Sequence, residues 1–190
     1  MFNDELLKEY MDYRCGMYYW LKNLYITEPS AEVLSDISLT CKNYDVDETI
    51  PKSEGEFIKF FSNLNKEEIE SLANNIRPEY AKLFLGPRKV PAPPYESVYS
   101  SGNKQIFGES CIEVRKSYED VGVQINTIGK IPDDFIGYEL EFMYYLTFLT
   151  NEAINTKDKE KVSILLEHKY LFLENHLTKW IDKFTEAIFN

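Results

Sequence analysis

Apolar side chains recur at three- and four-residue spacing along most of this chain, while the period-two alternation of a half-buried strand is almost absent. That pattern restricts the fold to packed helices. Leu6, Tyr10, Met17, Leu21 and Leu24 predict a long amphipathic helix over residues 3–26, with Asp4 and Glu5 in the first turn, where the helix dipole favours negative charge. Pro29 and Ser30 open a shorter stretch through Val33, Leu34 and Ile37. Residues 43–52 are acidic and proline-interrupted, a connector and candidate hinge. Phe57, Ile58, Phe60 and Phe61 mark the next apolar face. Residues 66–85 follow with Ile69, Leu72, Ile76, Tyr80 and Leu83, and Pro78 predicts a new helical segment there. Helical spacing returns at Ile112, Arg115 and Tyr118 and ends near Gly122. Asp133 or Asp134 is then expected to cap an apolar helix through Ile136, Leu140, Met143, Leu146 and Leu149. Two more helices follow, one through Val162, Leu165 and Leu173, one through Leu177, Trp180, Phe184 and Ile188. The expected fold is all-α: one domain over residues 1–190, a bundle of about eight or nine helices held by packing.

Composition narrows the function. A net charge of −11 opposes a non-specific grip on nucleic-acid phosphates or on an anionic membrane, and favours a cationic partner. Cys15, Cys41 and Cys111 are odd in number and far apart, without a Cys-x-x-Cys, so neither a disulfide framework nor a zinc knuckle is expected. The start, Met-Phe-Asn-Asp-Glu, has no cationic segment leading into an apolar one, and no apolar run of about 18 residues follows. A cytoplasmic protein without stable membrane insertion is the expectation.

Searches for catalytic patterns find none. His168 and His176 lie eight residues apart, not at the i, i+4 placement of a helical metal pair. The nearest approach to a phosphate loop, Gly122 to Gly129-Lys130, has Ile131 where a magnesium-binding Ser or Thr belongs. No cofactor is expected. One acidic arrangement remains: Asp134, Tyr138 and Glu141 recur at i, i+4, i+7 and would share a face of one helix. That face suits a cationic ligand, or alternatively a divalent ion in a metal-dependent all-α hydrolase using Asp134 and Glu141. Residues 86–101 hold Pro87, Pro91, Pro93 and Pro94, which predict a long stiff loop presenting Tyr95 and Tyr99 as pre-organised aromatic surface.

Pro78-Glu-Tyr-Ala-Lys-Leu-Phe-Leu-Gly-Pro87 and Pro91-Ala-Pro-Pro-Tyr-Glu-Ser-Val-Tyr99 closely resemble the signature of the TorD/DmsD-type redox-enzyme maturation chaperones. Pro132-Asp-Asp-Phe-Ile-Gly-Tyr-Glu-Leu-Glu-Phe-Met143 resembles a second family block, and Phe172 to Phe184 a third, aromatic-rich one. The resemblance spans residues 78–184. It implies a TorD-like helical chaperone, not an enzyme, that binds the twin-arginine leader and the apo-form of a molybdopterin enzyme's catalytic subunit and holds it for cofactor insertion before export. Carried over by position, the peptide-binding residues are Pro93, Pro94, Tyr95, Ser97, Tyr99 and Asp134. Phe135 stands where the family has histidine, removing a titratable donor. With Tyr138 and Glu141 these residues make the expected site: an aromatic groove for the leader's apolar stretch, with Asp134, Glu139 or Glu141 receiving the arginines. Some relatives exchange helices between protomers, and residues 43–52 are the candidate hinge for a homodimer of that kind. The alternative from another class is an assembly scaffold that docks a partner without reading a leader.

Overall fold

The computed structural model describes residues 4–86, 90–100, 106–126 and 131–190. Among these, nine α-helices follow one another: α1 (Asp4–Tyr25), α2 (Ala31–Cys41), α3 (Lys52–Ser62), α4 (Lys66–Phe84), α5 (Glu96–Ser100), α6 (Glu109–Glu119), α7 (Ile136–Asn155), α8 (Lys159–Phe172) and α9 (Thr178–Phe189). A π turn, Leu173–Leu177, joins α8 directly to α9. The architecture is the all-α bundle that the apolar spacing predicts.

Several helix starts are fixed by neighbouring side chains. Ser30 Oγ accepts the Val33 N–H at 3.2 Å, and Asp158 Oδ1 accepts the Lys161 N–H at 3.0 Å. Asn65 and Glu68 form a reciprocal capping box at the start of α4. The break expected at Pro78 is corrected: α4 runs unbroken from Lys66 to Phe84 with Pro78 inside it. Proline removes one backbone donor and disfavours the preceding turn. Here Ile69 and Ala73 are buried before it and Tyr80 after it, and the Tyr80 hydroxyl donates to the Tyr25 carbonyl at 2.8 Å. Tertiary packing outweighs the local preference.

α1 lies between two apolar clusters. Met17 and Trp20 face Leu34, Ile37, Ile58 and Phe61 of α2 and α3. Tyr18 faces the larger cluster, in which Met143 and Leu146 of α7 meet Phe172, Trp180 and Phe184. The α1–α7 contact is the most extensive helix pair. It is close at one end because residue 137 is glycine: a Cβ there would lie 2.7 Å from Ile26 Cα. In the connector before α3, Tyr44, Val46 and Ile50 pack onto the first cluster. The proline-rich stretch is not one long loop, since Glu96–Ser100 is helical. Pro87, Gly129 and Lys130 lie outside the described residues.

Candidate functional site

The proline-rich segment and the start of α7 are hydrogen-bonded to each other. Tyr95 and Phe135 form an isolated antiparallel bridge, with the Ile136 N–H donating to the Pro94 carbonyl and the Glu96 N–H to the Asp134 carbonyl, both at 3.0 Å. Asp134 Oδ2 accepts the Ser97 N–H at 2.7 Å and the Ser110 hydroxyl at 3.4 Å. Asp134 therefore caps α5 from a distant part of the chain. The expectation that Asp133 or Asp134 caps α7 is corrected: the residue before α7 is Phe135, which makes no side-chain cap. Asp133 instead takes the Arg115 guanidinium, Nη2 at 2.5 Å and Nε at 3.1 Å, and so ties α6 to the same corner.

Burial divides the sequence-predicted residues into two groups. Pro94, Ser97, Asp134 and Phe135 are buried, and Asp134 has no exposed surface. Pro93, Tyr95 and Tyr99 are half-buried. Tyr95 lies against Phe135 at 5.9 Å between ring centroids, and Tyr99 stacks on Trp180 at 5.6 Å. Tyr138 and Glu141 instead line an open groove of about 390 Å³ between α7 and the segment after α6. Val123, Ile125, Phe142 and Tyr145 complete its apolar walls. Asp134 does not share this face, because α7 begins only after it and the i, i+4, i+7 relation needs all three residues on one helix. For the same reason Asp134 and Glu141 do not make a metal pair: one is buried against Ser97, the other is exposed and 3.4 Å from Lys22 Nζ. Among the described residues no group of three His, Cys, Asp or Glu side chains is arranged to hold a metal.

Beneath the corner lies a buried polar network that helical spacing does not reveal. His176 Nδ1 is 3.0 Å from Glu96 Oε2, and its Nε2 is 3.4 Å from the Ser117 hydroxyl. Glu139, without exposed surface, accepts the Trp180 indole N–H at 3.2 Å. Burial, and next the Glu96 carboxylate beside it, hold the Glu139 carboxyl well above its ordinary value of 4.5. With no surface exposed, it is out of reach of an arginine. The one signal in the sequence is an acid within the apolar stripe Ile136, Leu140, Met143.

The raised Glu139 pKa makes the stability of the fold depend on pH. The folded state holds this proton more tightly than the unfolded chain, so stability is full below about 4.5 and falls as pH rises toward the folded value. Glu139→Gln keeps an acceptor for Trp180 and has no proton to lose. Urea unfolding should find the variant more stable than wild type at neutral pH, with the two converging near pH 4. A constant difference across that range would show that Glu139 does not titrate with folding.

The family model described as nitrate reductase delta subunit matches residues 46–186, most of the chain and all of this corner. The chain belongs to that family. Among relatives of this delta-subunit family member, the chaperone protein TorD of Vibrio parahaemolyticus is 24% identical over 185 residues, covering 95% of this chain and 84% of its own. TorD of Vibrio vulnificus strain YJ016 is 23% identical over the same shares. The probable Tat proofreading chaperone DmsD of Haemophilus influenzae is 29% identical over 119 residues, 63% of this chain and 51% of its own. The TorD/DmsD resemblance read from residues 78–184 therefore holds, and similarity to TorD extends through the N-terminal helices as well. Within this family member, Phe135 packs edge-on against Tyr138 at 5.2 Å.

Proposed function

We infer that this protein is a cytoplasmic chaperone for a molybdopterin-containing oxidoreductase, binding the twin-arginine leader of the catalytic subunit and holding the apoenzyme until its cofactor is in place. The observation that carries the reading is the family match across residues 46–186, together with relatives named as TorD and DmsD chaperones. The groove beside Tyr138 supports it, being apolar in its walls with one carboxylate, Glu141, at its edge, in a chain of net charge −11. Among the described residues no helix is long and apolar enough to cross a membrane.

In this reading the leader's apolar stretch enters the groove. Tyr138 and Glu141 touch it, while Pro93, Pro94, Tyr95, Ser97, Tyr99, Asp134 and Phe135 form the frame that fixes the start of α7. A volume near 390 Å³ admits roughly three aliphatic side chains, whose burial contributes about 5–9 kcal/mol gross. Ordering the peptide removes about 2–5 kcal/mol, which leaves a complex of about millimolar strength from the groove alone. Micromolar binding therefore requires contacts outside it. The test is a titration of a labelled twin-arginine leader peptide followed by fluorescence anisotropy. Tyr138→Ala should weaken binding about five- to tenfold. A leader that does not bind wild-type protein, or binds the variant equally well, would remove the groove from the mechanism.

A further inference from the structure

A second cleft lies farther along α7. It measures about 580 Å³ and opens between α1, α2 and α7. Its walls are aromatic: Tyr19, Trp20, Tyr44, Tyr144 and Phe148. Asp12 and Glu152 are exposed at it; Lys8 Nζ lies 3.9 Å from Asp12 on the outer side, and no basic side chain lines the cleft itself. Asn151 also lines it, nine-tenths buried, and its side-chain oxygen has no hydrogen-bond partner. A buried amide oxygen without a donor is costly unless a ligand supplies one. Aromatic faces, carboxylates and a free acceptor together suit a cation that carries hydrogen-bond donors on an apolar stem. The protein places such a cation beside the cleft itself: Lys22 Nζ lies 5.8 Å from the Tyr19 ring and 5.2 Å from the Tyr144 ring.

We propose that this cleft receives the arginine side chains of a bound polypeptide segment, their guanidinium groups lying between the aromatic walls and Asp12 and Glu152. The proposal rests on the leader-binding reading and extends it. Tyr138, Glu141, Tyr145, Phe148, Glu152 and Asn155 follow one another at alternating three- and four-residue steps and so form one stripe along α7. The first three line the apolar groove, the last three the aromatic cleft. The two sets are centred about ten positions apart, about 15 Å along the helix, which about five extended residues span. A leader carries its positive charges ahead of its apolar stretch. It therefore lies with its N-terminal side toward the C-terminal end of α7, where the helix dipole also favours cations.

The test uses the full chain and two peptides, a twin-arginine leader and the same sequence with both arginines replaced by citrulline, a neutral isostere. Anisotropy reads affinity. Iodoacetamide alkylation of Cys15 reads occupancy of the cleft, since Cys15 lines it and is half-buried while Cys41 and Cys111 are buried. The arginine peptide is expected to bind about tenfold more tightly than the citrulline peptide and to slow Cys15 alkylation at least about threefold. In the Asp12→Asn, Glu152→Gln double variant, which alters only exposed side chains, the two peptides should come within about twofold of each other. Equal binding of the two peptides by wild-type protein, a gap that survives the double variant, or unslowed alkylation under saturating peptide would each overturn the arginine site and leave leader binding standing. If neither peptide binds, the leader reading fails. N-acetylarginine amide at millimolar concentration then decides the cleft by itself: slowed Cys15 alkylation supports it, and an unchanged rate overturns it.

Discussion

Asp134→Ala is expected to destabilise the fold by about 2–4 kcal/mol, because it deletes a helix cap and strands the buried Ser97 N–H that the carboxylate accepts at 2.7 Å. The carboxylate also meets Ser110 of α6, so one side chain links the start of α7 to two other helices. Asp134→Asn retains an acceptor oxygen for Ser97 and should recover roughly half of the loss. Urea midpoints of the three proteins measure this directly. Leader affinity, taken well below each midpoint, should change much less, since Asp134 offers no surface to a peptide. An alanine variant of wild-type stability with strongly weakened leader binding would reverse the assignment and make Asp134 a contact residue.

Lys169→Met should act in the opposite direction. Lys169 is 7% exposed, its ammonium donating to the Thr147 hydroxyl at 2.7 Å and lying 3.4 Å from Met11 Sδ. Among the described residues no carboxylate forms an ion pair with it. Burial, reinforced by the nearby Arg14, draws it from 10.5 down to about 8. The folded state thus binds fewer protons than the unfolded chain between about 8 and 10.5. Stability should rise with pH across that interval, and below it the full penalty of about 3 kcal/mol applies. Methionine has similar length and no charge. Allowing about 1 kcal/mol for the lost Thr147 bond, the variant should be about 1–3 kcal/mol more stable at pH 7 and lack the alkaline rise. Urea unfolding at pH 7, 9 and 10 tests both parts. A methionine variant less stable than wild type at pH 7 would mean that the ammonium is held by stronger interactions than these.

The all-α class and the order of helices were legible because apolar side chains at helical spacing record which face each helix buries, and Trp180, Phe184, Met143 and Leu146 are core residues as that spacing predicts. Boundaries were less legible. Pro78 carries a real local preference for a break, yet the burial of Ile69, Ala73 and Tyr80 on both sides of it overrides that preference. Within the site, Tyr138 and Glu141 do share a groove because both belong to α7. Asp134 does not, since periodicity cannot say on which side of a helix start a residue lies. The contacts of Glu96 with His176 and of Asp134 with Ser97 join residues 80 and 37 positions apart. Nothing in local spacing encodes such pairs. Only the out-of-place acid or cation in an apolar stripe, Glu139 or Lys169, leaves a trace.

The π turn between α8 and α9 gives this part of the chain one place where a change in length can be absorbed. The Thr178 N–H reaches back five residues to the Leu173 carbonyl, accommodating one more residue than an ordinary helical turn. Deleting a single position within 173–177 would close it to an ordinary helical turn and leave α9 facing the same way, whereas deleting one in the regular helix before it would turn everything beyond by about 100° around the axis. Trp180 would then swing away from Tyr99 and Glu139, and Phe184 away from Phe84, while every side chain of the last helix kept its identity. A one-codon loss should therefore be absorbed within 173–177 and should unmake the bundle one turn earlier.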